Sequence, residues 1–196
     1  MYKLCKTERS TKRQRELELA LLETMGRKCF EDITISELCD GIGVPRKAFY
    51  RYFDSKEGAL HALIDHTLTD FGKMDPMYTE RRRRSLTRDL ELFFIFWQEH
   101  KLLLDALEKS NLTGHLIQAS LEFPVRDMVS LAKFLPDDSE AMRRHVFRFA
   151  ICGLMFAMLS WYRGGFAEST HEMARAACRM LSHPLFPNMD KIGIPD

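Results

Sequence analysis

Arg46, Lys47, Tyr50 and Arg51 stand close together directly after a proline, interleaved with Phe49 and Phe53. Guanidinium and ammonium groups neutralise phosphate oxygens, and a short basic helix can carry them into a DNA major groove. Helical spacing sorts the run into two sides. Phe49 and Phe53, four apart, can pack inward, which leaves the basic residues and Tyr50 to point elsewhere. The chemistry is that of binding rather than bond breaking.

Such residues act only if something holds the helix that bears them. Upstream, Thr34 suits a helix cap, and Glu37, three residues on, can bond back to the Thr34 backbone as a capping box. Ile35, Leu38, Cys39 and Ile42 then form one buried stripe. Gly43 follows, where a positive-φ turn costs glycine nothing. Val44 precedes a proline and is pushed away from helical geometry. Pro45 suits the first turn of a second helix, which the spacing extends over Arg46–Tyr52. Ile33–Phe53 is expected to be a helix-turn-helix whose second helix is basic.

The chain has 196 residues, is 45% hydrophobic and carries a net charge of +1. That suits one domain, or a small domain joined to a larger one. Positive charge is local rather than global. Residues 1–15 hold Lys3, Lys6, Arg9, Lys12, Arg13 and Arg15 against Glu8, which makes either a phosphate-neutralising arm or a solvated terminus. The five cysteines lack metal-type spacing, and Cys39, Cys152 and Cys178 sit among apolar residues. They read as buried thiols in a reducing cytoplasm. No secretory signal is expected, because the N-terminus lacks an apolar core segment. The longest uncharged run, Phe149–Tyr162, is too short to span a bilayer and reads as a helix buried from most sides.

Periodicity predicts an all-α chain of about nine helices. The first covers residues 9–28 with Leu17, Leu21 and Met25 inward. After the helix-turn-helix, Asp54-Ser-Lys-Glu57 resembles a second capping box, and a helix follows to about Phe71. Gly72–Arg84 is a break containing the run Arg81–Arg84. Ser85–His100 is apolar nearly all round, as a helix inside a bundle would be. Lys101–Lys109 follows a bend, Leu112–Phe134 is helical with an interruption at Pro124, and Pro136-Asp-Asp-Ser is a turn. Helix Ser139–Arg163 ends at Gly164-Gly165, and Glu168–Leu181 is a last amphipathic helix before a tail with three prolines.

Enzyme signatures are scarce. There is no glycine-rich phosphate loop after a strand and no nucleophile elbow. His61 and His66 are five apart, the wrong spacing for one helix face. His100 and His115 either share a ligand or are structural. No metal site and no cofactor is expected. A candidate small-molecule cavity would be lined by Phe93, Trp97, His100, Leu107, Leu116, Phe123 and Met128; the same residues also make an ordinary core.

The run Gly43-Val44-Pro45-Arg46-Lys47-Ala48-Phe49-Tyr50-Arg51-Tyr52-Phe53, then Asp54-Ser55-Lys56-Glu57, resembles the TetR/AcrR family of transcriptional regulators. The family pattern there is Gly-Val-Ser-x-Gly-Thr-Leu-Tyr-x-Tyr/His-Phe followed by x-x-Lys-Glu. Phe30 and Thr34–Leu38 are similar to its first turn. The resemblance covers roughly residues 10–65; beyond them only the helical pattern and the Trp161…Gly164-Gly165 helix end are similar.

The resemblance implies a helix-turn-helix DNA-binding domain over residues 1–54, with its basic arm at 1–15. Residues 55–196 would then bind ligand and dimerise. It implies a cytoplasmic homodimer, joined through the last two helices, that binds a palindromic operator as a repressor. A small molecule would release it by shifting the population between two states. By position, Tyr50 and Tyr52 resemble the family's phosphate and base-edge contacts, and Lys56 its phosphate-binding lysine. Thr34 suits a phosphate at a helix N-terminus. Arg51 shares the basic face. The chain departs from the pattern at Pro45, Lys47 and Ala48, where serine, glycine and threonine are common. Ala48 can still touch a thymine methyl, and Arg46 or Lys47 can read guanine or hold phosphate. Two other readings stand beside this one. One is a helical small-molecule-binding protein or enzyme with a vestigial helix-turn-helix; the other is an interaction protein.

Overall fold

The computed structural model describes residues 1–74, 85–122 and 139–182. Among these, nine α-helices and a 3-10 turn (Phe30–Asp32) carry the fold. They are α1 Glu8–Arg27, α2 Ile35–Gly41, α3 Arg46–Phe49, α4 Lys56–Lys73, α5 Leu86–Glu99, α6 Lys101–Lys109, α7 Thr113–Glu122, α8 Glu140–Arg163 and α9 Thr170–Ser182. The only strand-like pairing among the described residues is an antiparallel bridge between Tyr2 and Phe53. The run Arg81–Arg84, the Pro124 interruption, the Pro136 turn and the tail beyond Pro184 lie outside the described residues.

Local chemistry sets most of the helix ends. Thr7 and Ser10 exchange side-chain and backbone bonds to open α1. Ser55, rather than Asp54, caps α4, its Oγ accepting from the Gly58 N–H at 3.3 Å. Ser139 caps α8, and Ser169 with Glu172 opens α9. Three helices close through a left-handed residue that returns two N–H groups to the last turn. After α2 it is Gly43 (φ 66), after α6 Asn111 (φ 55) and after α8 Gly165 (φ 73). In each, the next residue donates back over five positions: Val44 to Cys39, Leu112 to Leu107, and Phe166 to Trp161.

The helices assemble into two compact units. In the first, residues 1–74 pack with 100–122. Leu17, Leu21 and Met25 of α1 are fully buried, together with Cys39, Phe49, Phe53, Leu104, Leu107 and Leu116. Burying each side chain of this size is worth about 1.5–3 kcal/mol. Polar bonds tie the far ends together: the Phe30 N–H donates to Ser110 Oγ (2.9 Å) and Lys109 Nζ to the Gly26 carbonyl (3.2 Å). The packing units therefore do not follow the 54/55 division by role, since α4, α6 and α7 share a core with α1 to α3.

The second unit comprises residues 85–99 and 139–182. Here α5 packs against α8 and α9. Phe94 meets Trp161 edge to face at 5.5 Å, and Trp161 Nε1 donates to the Glu168 carbonyl at 2.9 Å. Helix α8 departs from the expectation of burial on most sides. Ile151, Leu154, Met155, Met158 and Leu159 are buried, but Phe149 is 69% exposed and Phe156 58%. Its 24 residues give more than six turns, and one unit covers only part of them. By length and composition α8 is also apolar enough to cross a membrane. Among the cysteines, Cys39 alone is fully buried; Cys152 and Cys178 are half-buried, and all five are free thiols.

Candidate nucleic-acid interface

The site is built on α2 and α3. Thr34 Oγ1 accepts from the Glu37 N–H (3.2 Å), which opens α2. The Glu37 carboxylate pairs with Lys28 and also feels the Thr34 backbone N–H, the reciprocal half of the expected capping box. Lys28, first through its hydrogen bond, holds the Glu37 carboxyl below the usual carboxylate range. Leu38 and Cys39 face the core, and burial pushes the Cys39 thiol pKa up.

Pro45 precedes α3 as its cap rather than lying inside it, with φ −70° and ψ 148°. The helix is shorter than the Arg46–Tyr52 span predicted. Its α segment ends at Phe49, and the chain continues in tighter turns, with Arg51 N–H donating to Ala48 O and Tyr52 N–H to Phe49 O. Four residues cannot hold a helix alone. The clamp is Phe49 and Phe53, both wholly buried, with ring centroids 5.0 Å apart. Opposite that clamp, Arg46, Lys47, Tyr50 and Arg51 are exposed and Ala48 is half-buried. Thr34 is exposed as well. Six of the eight residues expected to meet DNA therefore reach solvent on or beside α3.

The other two are placed differently. Tyr52 is only 7% exposed and packs beside Phe53 at 6.3 Å between centroids. Three residues from Phe49 and next to Phe53, it falls on the clamp's side of the segment. The Lys56 ammonium is held by the carbonyls of Phe30 (2.5 Å), Glu31 (3.0 Å) and Ile33 (2.9 Å) and lies 4.5 Å over the Phe30 ring. An ammonium has three N–H donors, and all three are used. Lys56 thus closes the 3-10 turn onto α4.

The N-terminal residues do not form a loose arm. Lys3 N–H donates to the Tyr52 carbonyl (2.9 Å), Asp54 N–H to Met1 O (3.2 Å), and Lys3 Nζ to Tyr50 O (3.2 Å). Tyr2 donates its hydroxyl to Asp65 Oδ2 at 3.0 Å. Burial, then the Asp65 charge, pushes the phenol pKa up to about 12. Burial likewise raises the Asp65 carboxyl pKa. Deeper in, wholly buried Glu18 meets His66 Nδ1 (2.9 Å) and Arg15 (2.9 Å), joining α1 to α4. Apart from Arg15 and Glu18, which are three residues apart, none of these partners lies near its mate in sequence, so no local pattern announces them.

The expected small-molecule residues are divided between the two units. Phe93 and Trp97 belong to the second unit, at 5% and 1% exposure, while His100, Leu107 and Leu116 belong to the first. Phe123 and Met128 lie outside the described residues. His115 packs against His61, centroids 5.5 Å apart. That pair borders a cleft of about 500 Å³ with Tyr2, Asp65 and Gln118. Among the described residues no three His, Cys, Asp or Glu side chains are set to hold a metal ion.

Residues 20–63 match the family model described as bacterial regulatory proteins, tetR family. The HTH-type transcriptional regulator EthR of Mycolicibacterium smegmatis is 33% identical over 91 residues. That alignment covers 42% of this chain and 42% of the relative, so it spans less than half of either. A tetR-family transcriptional regulator from Streptomyces coelicolor superposes with a TM-score of 0.57 at 20% identity, covering 87% of this chain and 79% of that one. The fatty acid degradation regulator FadR from Bacillus halodurans gives 0.63 at 12% identity, covering 93% and 98%. At these identities the superpositions speak to the fold, and the fold agrees with the motif: a capped α2, a glycine turn and a basic α3 clamped by two phenylalanines. Residues 20–63 thus match the tetR family of bacterial regulatory proteins, and the helical fold around them is similar to that of solved regulators of that kind.

Proposed function

We propose that the protein is a DNA-binding transcriptional regulator, and more specifically a cytoplasmic homodimeric repressor that a small molecule releases from a palindromic operator. The observation that carries the DNA-binding part is the exposed set Arg46, Lys47, Tyr50 and Arg51 on a helix whose opposite side is wholly buried. Fixed cations on a protruding edge neutralise phosphates and release counterions, which makes binding salt-dependent. Arg46, Lys47 and Ala48 open α3, where side chains reach base edges. Thr34, Tyr50 and Arg51 flank them on the phosphates. Tyr52 and Lys56 serve the site indirectly, by holding the turn and α4.

The dimer rests on α8 and α9. Met142, Phe149 and Phe156 recur every seven residues along α8, and Met180 and Leu181 are exposed on α9. A seven-residue apolar repeat is the seam of a helix pair. A homodimer joined along that seam has two copies of α3, one for each half of a palindrome. The effector is assigned to the aromatic helix α5 around Phe93 and Trp97. Differential affinity for two conformations is then what couples it to DNA.

The test is a fluorescence anisotropy titration of the full chain against duplexes tiling the region around its own gene. One site bound at least 100-fold tighter than random DNA, with affinity falling steeply in salt, is the expected result. No site tighter than random DNA would defeat the proposal.

A further inference from the structure

We infer that Met1–Lys3 is a seated strap that positions α3, and that Tyr2 is a positioning residue for DNA binding although it faces away from α3's exposed side. The inference rests on the DNA-binding reading above and goes beyond it, because it assigns a role to residues outside the recognition surface.

Three observations converge. The strap pairs with the segment leaving α3 by two main-chain hydrogen bonds, Lys3 N–H to Tyr52 O and Asp54 N–H to Met1 O, which together make the Tyr2·Phe53 bridge. Lys3 Nζ adds a bond to the Tyr50 carbonyl in the last turn. The strap is also anchored to α4: Tyr2 donates to Asp65, and its ring stands edge-on to His66 at 5.5 Å. Gln14 of α1 adds a third anchor, its Nε2 donating to the Lys3 carbonyl at 3.3 Å. Finally, α4 carries a seat. Gly58 is buried in its first turn, and a Cβ there would collide with the Met1 carbonyl. Glycine in a helix costs about 1 kcal/mol relative to alanine, so its presence fits a close approach of another backbone. The Tyr2 phenol stays protonated far above neutrality, so it remains a donor wherever DNA is bound.

A strap fixed at α1 and α4 and paired with Tyr52–Asp54 sets where α3 ends. Its loss would leave every DNA-contacting side chain in place but widen the range of orientations α3 samples. A misplacement of this kind lowers affinity without removing a phosphate contact.

Two measurements on the full chain test this. In the first, amide hydrogen exchange is followed at Lys3 and Asp54 in the wild type, Gly58→Ala and Tyr2→Phe. Protection in the wild type, lost at least tenfold in Gly58→Ala while the midpoint of thermal unfolding does not fall, is expected. Unprotected wild-type amides, or protection unchanged in Gly58→Ala, would overturn the strap. In the second, anisotropy titrations use the tightest duplex the wild type selects from a random-sequence library, at several salt concentrations. Tyr2→Phe is expected to raise Kd about three- to tenfold, the effect of one lost hydrogen bond. The slope of log K against log salt should stay unchanged, and Asp65→Asn, which keeps an acceptor, should bind nearly as the wild type. A slope reduced by about one in Lys3→Met would make the arm a direct phosphate contact and overturn the positioning role. So would Kd within twofold for both Tyr2→Phe and Gly58→Ala. If the wild type selects no duplex, the DNA-binding reading fails by itself, and hydrogen exchange still decides whether the strap is seated.

Discussion

Helices α3 and α8 expose opposite kinds of surface. The first has four residues, shows cations and a tyrosine to solvent, and is held by two buried phenylalanines. The second has 24 residues, could nearly stand alone, and shows Phe149 and Phe156 to solvent. Exposed cations cost nothing in water and gain by meeting phosphate. Exposed phenylalanines are unfavourable until something covers them, by about 25 cal/mol for each Å² of apolar surface. On the function proposed above, the contrast would let one chain meet two partners by opposite physics: a polyanion at α3, and a second apolar helix face at α8.

The largest expected effect tests the second half of that contrast. Phe149→Glu with Phe156→Glu should raise the dimer dissociation constant at least about 100-fold, read by sedimentation velocity across a concentration series. The fold of each chain should persist, because both side chains are mostly exposed. A dimer unchanged by the pair would remove α8 from the interface.

Next comes the clamp under α3. Phe49→Ala should cost about 3–5 kcal/mol in denaturant unfolding, the usual range for a buried phenylalanine, and DNA binding should go with it. Arg46→Ala should leave stability within about 0.5 kcal/mol while lowering the salt slope of DNA binding by about one. Retention of the full slope would mean that Arg46 does not meet phosphate.

Lys56 sharpens the comparison within the DNA-binding half. Lys56→Ala strands the carbonyls of Phe30, Glu31 and Ile33 and should cost about 1–3 kcal/mol, with little change in salt slope. A slope lowered by about one, with stability unaltered, would return Lys56 to the phosphate-binding set.

The smallest effect is a pH response. The Glu37 carboxyl pKa is lower in the folded chain than in the unfolded one, so its contribution is present above the unfolded value and lost as pH falls through the folded one. Asp65 has the opposite sign: its raised folded pKa means that its contribution is lost as pH rises through that value. In acid titrations of stability, Lys28→Met should flatten the Glu37 limb only slightly, since that pair is exposed and screened. Asp65→Asn should abolish the opposing limb. If neither variant changes the curve, these carboxyls do not set the acid response.

Much of the fold was legible locally. Thr34, Gly43 and Pro45 act on the backbone within a few residues, so they located α2, its left-handed exit and the start of α3. The 3.6-residue spacing of Leu17, Leu21 and Met25 likewise announced a buried face of α1. The sequence did not announce the short α3, the burial of Tyr52 or the three carbonyls that hold Lys56. Each depends on a turn or a carbonyl supplied from elsewhere. Helical periodicity also suggested that α8 was buried because it is apolar, but periodicity reports composition and not the surfaces available to cover it.

By itself, then, the sequence determined the helices, their caps, and the cationic run clamped by Phe49 and Phe53, because those follow from interactions within about one turn. Only the tertiary structure decided that Lys56 locks three carbonyls and that Tyr2 reaches Asp65. It alone decided that His115 meets His61 and that Phe149 and Phe156 stay exposed. Those are contacts across tens of residues, where the chain's path rather than its local pattern chooses the neighbour.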